Sequence, residues 1–136
     1  MFTTPSRVRT CLAQPWIKPS LRALLATFMI FAGIKHFIDP APFERIVPPY
    51  LPAPHLLVLV SGFFEIAGGI GLLVPRLRPV AALGLVALYI AVFPANIHMA
   101  RYPDPSYSAM MRVLLWLRLP LQFLLIRWAL WVGERE

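Results

Sequence analysis

The sequence predicts an all-α integral membrane protein, a bundle of four transmembrane helices, and three observations lead there. Four stretches of the 136-residue chain are long and apolar: Leu21 to Ile38, His55 to Val74, Val80 to Ala100 and Val113 to Val132. At ~1.5 Å rise per residue, about 20 helical residues cover the roughly 30 Å hydrocarbon core. Charged residues make up 14% of the chain and hydrophobic ones 59%, with a mean hydropathy of +0.69; soluble domains average about 25% charged. Four spans in so short a chain leave almost nothing for a water-soluble domain. The division expected is a cytoplasmic tail over residues 1–20, a transmembrane domain over 21–132 and a short tail over 133–136.

The N-terminal tail carries Pro5, Pro15 and Pro19 among basic and polar residues, so a mobile tail is expected there. Its lone Cys11 has no second thiol for a disulfide or a dithiol redox pair. The first span exceeds the usual apolar core of a signal peptide, about 7–15 residues, and no small-residue cleavage site follows it. It is expected to be retained as an anchor.

Asp39 to Pro54 holds six prolines in sixteen residues, which favours a stiff, extended path. Phe43, Ile46 and Val47 are spaced for one helical turn within it, a lid over one end of the bundle. The second connection, Pro75 to Pro79, is short and basic and should join the second and third spans as a tight antiparallel hairpin. Small residues line both partners: Ser61, Gly62, Gly68, Gly69 and Gly71 on one, Ala81, Gly84, Ala87, Ala91 and Ala95 on the other. They are expected to bring those two backbones close.

The net charge of +7 and pI near 10.5 raise nucleic acid as a partner, but the distribution of the charges excludes it. Arg7, Arg9, Lys18, Arg22, Arg76, Arg78 and Arg135 fall on one side of a four-span topology, and Arg45, Arg101 and Arg112 on the other. Seven against three is the positive-inside pattern. It places both termini in the cytoplasm of a bacterial inner membrane, with the bilayer as the first partner.

A charge inside a span costs roughly 2.5–3.5 kcal/mol on insertion scales, so the few ionisable residues there are informative. Glu65 lies near the middle of the second span, on the face of Gly62 and Gly69. Arg118 and Gln122 sit on the fourth span, Asn96 and His98 toward the outer end of the third, and Lys35 and His36 at the outer end of the first. Pro94 and Pro120 each free a carbonyl one turn earlier, at Ile90 and Trp116. Together these place a polar pocket in the outer half of the bundle, under the proline-rich lid. Glu65, His36, Asn96, His98, Arg118 and Gln122 are its candidate ligand-binding residues. Each also has a plainer role open to it: Glu65 tied to Arg118 and Gln122 as a register-fixing link, the histidines as hydrogen-bonded boundary residues, Asn96 as a bridge between helices. No metal site, phosphate loop or catalytic triad is encoded, and no residue is assigned a catalytic role.

The segments FAGIKHF (31–37), IVPPYLP (46–52), SGFFEIAGG (61–69), FPANIHMA (93–100) and RLPLQ (118–122) resemble, in order, the DoxX family of small four-helix bacterial membrane proteins. The resemblance covers about residues 20 to 132 and implies the same four-helix bundle. It also implies redox association, since family members include a quinone-reducing subunit of a thiosulfate oxidation enzyme and membrane partners in oxidative-stress complexes. Two readings follow. In one, the chain is a redox-associated subunit whose pocket takes a quinone-like ligand, with electrons supplied by a partner protein. In the other, it is a non-enzymatic membrane protein that binds a lipid-like small molecule or supports a partner complex. A homo-oligomer fits either.

Overall fold

The computed structural model describes residues 14–135, which leaves Arg7, Arg9 and Cys11 outside. The elements run α1 (Ile17–Ile38), α2 (Ala41–Glu44), α3 (Pro54–Leu73), α4 (Arg78–Arg101) and α5 (Ala109–Gly133), with no strand among the described residues. The four long helices are each long and apolar enough to cross a membrane. The fold is all-α.

Local chemistry sets the helix ends. The α1 helix begins at Ile17, earlier than Leu21, because Pro19 falls in its first turn, where no backbone N–H has a partner to lose. Prolines also occupy the first turns of α3 and α4. The α5 helix begins at Ala109 rather than Val113, because Ser108 caps it by accepting a hydrogen bond from Met111 N at 3.2 Å. Ala53, between Pro52 and Pro54, has a left-handed backbone (φ 49°, ψ 62°) as it turns the chain into α3.

The long helices are arranged in the order α1, α3, α4, α5 around the bundle; α1 packs most extensively on α3, and α5 on α4. We call the end carrying the start of α1 and the close of α5 the terminal end, and the opposite one the far end. Leu25, Leu72, Leu85 and Val132 are fully buried in a core toward the terminal end. There Arg22 donates from Nε to Val132 O at 2.7 Å, and Lys18 meets Glu134 at 3.4 Å. The arginine satisfies a carbonyl in the last turn of α5, the end of a helix where positive charge is favoured. Toward the far end α5 loosens: between Ala109 and Trp128 only Leu115 and Gln122 are buried.

Large apolar side chains are exposed over much of the outside, among them Phe31, Phe63, Val80, Leu83, Ile90 and Phe123, all above half exposed. A water-soluble monomer rarely exposes contiguous apolar surface beyond a few hundred Å². Lipid is the solvent these side chains match.

Small residues are distributed differently from the hairpin expectation. The tightest approach of a glycine to a neighbouring backbone joins α1 to α3: a Cβ built on Gly33 would stand 2.6 Å from Gly62 O, and one on Gly69 2.8 Å from Ala26 O. Gly68 and Gly71 do serve the contact with α4, through Leu85 and Ala81. Gly84, however, has nothing within 4 Å of its Cβ position, and Ala87 and Ala91 are exposed. That stripe faces away from α3, because small side chains permit close packing without demanding it.

Candidate polar site at the far end of the bundle

Glu65 lies eleven residues past Pro54, the start of α3, about 16 Å along the helix and so near its middle. The close α1–α3 contact at Gly33 and Gly62 places the His36 ring over it. His36 Nδ1 stands 3.0 Å from Glu65 Oε2 and 2.8 Å from Ala32 O. Both neighbours are acceptors, so Nδ1 is the protonated nitrogen. Its single hydrogen is aligned with Ala32 O. The contact with Glu65 has the distance of a hydrogen bond without its angle, and Oε2 has no aligned donor although it is buried. Only one other buried side-chain polar atom among the described residues shares that state, Trp128 Nε1, a neutral donor that costs less to desolvate than a carboxylate.

The proline-rich connection closes over this pair. The Phe43 ring of α2 stacks on His36 with centroids 3.9 Å apart and planes at 26°. Glu44 of the same turn meets His55 Nδ1 at 2.5 Å, tying α2 to the start of α3. Side-chain exposure is 11% for His36 and 14% for Glu65, so the pair is covered but not sealed.

A second polar pair lies between α4 and α5. Asn96 Nδ2 donates to Gln122 Oε1 at 3.1 Å, and Gln122 Nε2 donates to Tyr89 O at 2.5 Å. The carbonyl recruited is that of Tyr89, one residue before the Ile90 carbonyl that Pro94 leaves without its intrahelical N–H. Ile90 is 63% exposed on the outer face of α4, whereas Tyr89 is buried and faces α5. The Tyr89 hydroxyl reaches Met29 Sδ of α1 at 3.2 Å.

The remaining two candidates lie apart. His98 lines a recess of about 430 Å³ at the far end of α4, with Pro48, Tyr50, Pro94, Arg101 and Tyr102. Its ring lies 5.1 Å from that of Tyr102, and the Arg101 guanidinium sits 5.8 Å from the same ring centre. Arg118 is exposed on α5. No ion pair joins Glu65 to Arg118 among the described residues. The register-fixing link expected between Glu65, Arg118 and Gln122 is thus replaced by His36 for the acid and Asn96 for the amide. The reason is packing order: Glu65 faces α1 across the glycine contact, while Gln122 faces α4.

Sequence reasoning passed over Tyr89, Arg101 and Tyr102. The signals present were Pro94 inside the third span and the position of Arg101 at a helix end beside Tyr102. Among the described residues no three His, Cys, Asp or Glu side chains are grouped to hold a metal ion. Chemically, the His36–Glu65 pair offers an acceptor oxygen and an imidazole under a hydrophobic cover, suited to a guest with an O–H or N–H donor.

No curated protein and no solved structure matches the chain. One family model does, over residues 25–133, from within α1 to the last residue of α5. A four-helix membrane-spanning chain with this polar far end therefore belongs to the family described as domain of unknown function DUF8561.

Proposed function

We propose that this protein is a non-enzymatic integral membrane protein that holds a lipid-like small molecule beneath the proline-rich lid, its polar group donating to Glu65. The observation that carries this is the buried Glu65 Oε2 without an aligned donor. A buried polar atom left unmatched costs about 1–3 kcal/mol, more if charged. The same bundle contains a completed structural tie for comparison: Asn96 and Gln122 match donor to acceptor and recruit Tyr89 O. Had Glu65 only to fix helix register, an amide in its place would do so without the charge. A guest donor arriving at Oε2 removes the penalty.

The basic residues favour an orientation with both termini in the cytoplasm of a bacterial inner membrane, so that the lid faces outward. The resemblance to the DoxX family narrows the guest class toward quinones, whose reduced form carries the required hydroxyl. It would make the protein a redox-associated partner rather than the source of electrons.

The test is extraction in mild detergent, followed by mass spectrometry of retained small molecules from wild type and Glu65→Gln. Gln keeps the shape and supplies its own N–H donor, so the variant should fold and lose the guest. A quinone in the wild type would select the redox-associated form of the proposal, and another donor-bearing lipophile the simple binding form. Retention of nothing beyond bulk lipid, or equal retention by the variant, would sink it.

A further inference from the structure

We propose that the far-end recess beside α4 binds the phosphate headgroup of an anionic phospholipid, whose acyl chain lies along the outer face of the same helix. The site shares no residue with the His36–Glu65 pair and does not depend on the reading given for it.

Spacing is the first observation. Gly84, Ala87, Ala91, Pro94, His98 and Arg101 follow one another at steps of three and four, so they share one face of α4. The first three form a smooth lane: Ala87 and Ala91 are exposed, and no atom lies within 4 Å of a Cβ on Gly84. The last three line the recess. From Arg101 down to Ala87 the stripe runs about 21 Å, a headgroup layer plus the ~15 Å half of the hydrocarbon core that one leaflet fills, with Gly84 one turn beyond.

Charge is the second. No acidic residue lines the recess. Of the three acids in the two far-end connections, Glu44 and Asp104 are engaged with His55 and with Ser106, and Asp39 is exposed at the close of α1, outside the recess lining. Arg101 makes no ion pair or hydrogen bond among the described residues; its guanidinium lies over the Tyr102 ring and keeps its N–H donors for a guest. An arginine fork matches two phosphate oxygens, and such charge-assisted bonds are the strong ones. Tyr50 and Tyr102 beside it are side chains enriched at headgroup level. Pro48 and Pro94 supply rigid apolar walls. A soluble phosphate would use only the head of this arrangement. The lane below it favours a phosphate that carries a chain.

The experiment is native mass spectrometry of the detergent-purified protein titrated with phosphatidylglycerol or with phosphatidylcholine of the same chains. Phosphatidylglycerol should bind severalfold more tightly, because both phosphodiesters can meet Arg101 but the choline cation brings a second positive charge beside it. Arg101→Gln should remove that preference, Arg101→Lys should keep part of it, and Arg45→Gln, at an exposed arginine of the same end, should leave it intact. Ala87→Leu, which fills the lane and leaves the head untouched, should weaken phosphatidylglycerol severalfold. Equal binding of the two lipids, or an unchanged preference in Arg101→Gln, overturns the proposal. Displacement of the lipid by millimolar inorganic phosphate would show a site for free phosphate and overturn it too. So would a wild-type dimer that Ala87→Leu dissociates, since a second copy would then cover the lane.

Discussion

Gly33 and Gly62 meet backbone to backbone, and their contact decides where His36 meets Glu65. A Cβ on Gly62 would lie 2.7 Å from His36 Cβ and 2.9 Å from Gly33 O. Neither neighbour is the movable end of a flexible side chain, so a methyl group there must push α1 away from α3. Gly62→Ala is expected to destabilise the bundle by about 1–3 kcal/mol, the usual cost of overpacking. It should also lengthen the 3.0 Å His36–Glu65 contact. Thermal unfolding in detergent reads the first effect and a structure of the variant the second; an unchanged melting temperature would contradict this account of the helix contact.

Ala53 is strained where it stands. Its φ of 49° and ψ of 62° lie in the left-handed region, which costs a residue with a Cβ roughly 1–2 kcal/mol. Ala53→Gly removes that cost but adds freedom to the unfolded chain, worth about 0.5–1 kcal/mol in the other direction. The balance predicts a small net gain, visible as a modest rise in melting temperature. A clear fall would show that the strain is not present.

The Asn96–Gln122 pair is open to a double-mutant cycle. Gln122→Leu strands Asn96 Nδ2 and takes the side-chain donor from Tyr89 O. Hydrogen bonds between transmembrane helices average about 0.6 kcal/mol and reach about 1.7, so a loss near 1 kcal/mol is expected. Adding Asn96→Leu should cost less than the second substitution does alone, because the groups act as a unit. Strict additivity would mean that the two side chains are not coupled.

Asp104 predicts a pH effect confined to the α4–α5 connection. Its carboxylate accepts from Ser106 N at 2.8 Å and from Ser106 Oγ at 2.6 Å. These bonds, helped by the charge of Arg45, hold its pKa below the ordinary aspartate value. A depressed folded pKa contributes stability that is complete above the unfolded value and lost as pH falls through the folded one. The turn at residues 104–107 should therefore stay ordered at neutral pH and loosen below about pH 4. The Ser106 amide shift, followed by NMR down to low pH, reads this directly. Asp104→Asn should abolish the titration; a midpoint above the ordinary aspartate value would reverse the assignment.

Hydropathy alone determined that this chain crosses a membrane four times, because lipid offers no hydrogen bonds and only long apolar helices satisfy their own backbone there. Glu65 was conspicuous for the same reason: a carboxylate inside an apolar run needs an explanation wherever the helix packs. Its partner was not legible. The choice of His36 over Arg118 rests on the register of α1 against α3, fixed by two glycines whose meeting no local pattern announces. Gly84, Ala87 and Ala91 make the same point in reverse, since their spacing suits a helix contact and the fold turns them outward. Tyr89 O was not legible either: Pro94 frees the carbonyl of Ile90, whereas the one that Gln122 meets depends on how α4 is rotated in the bundle. Span and depth follow from each residue's own transfer free energy, which the chain carries locally. Partner and face follow from packing between helices distant in sequence, which exists only once they meet.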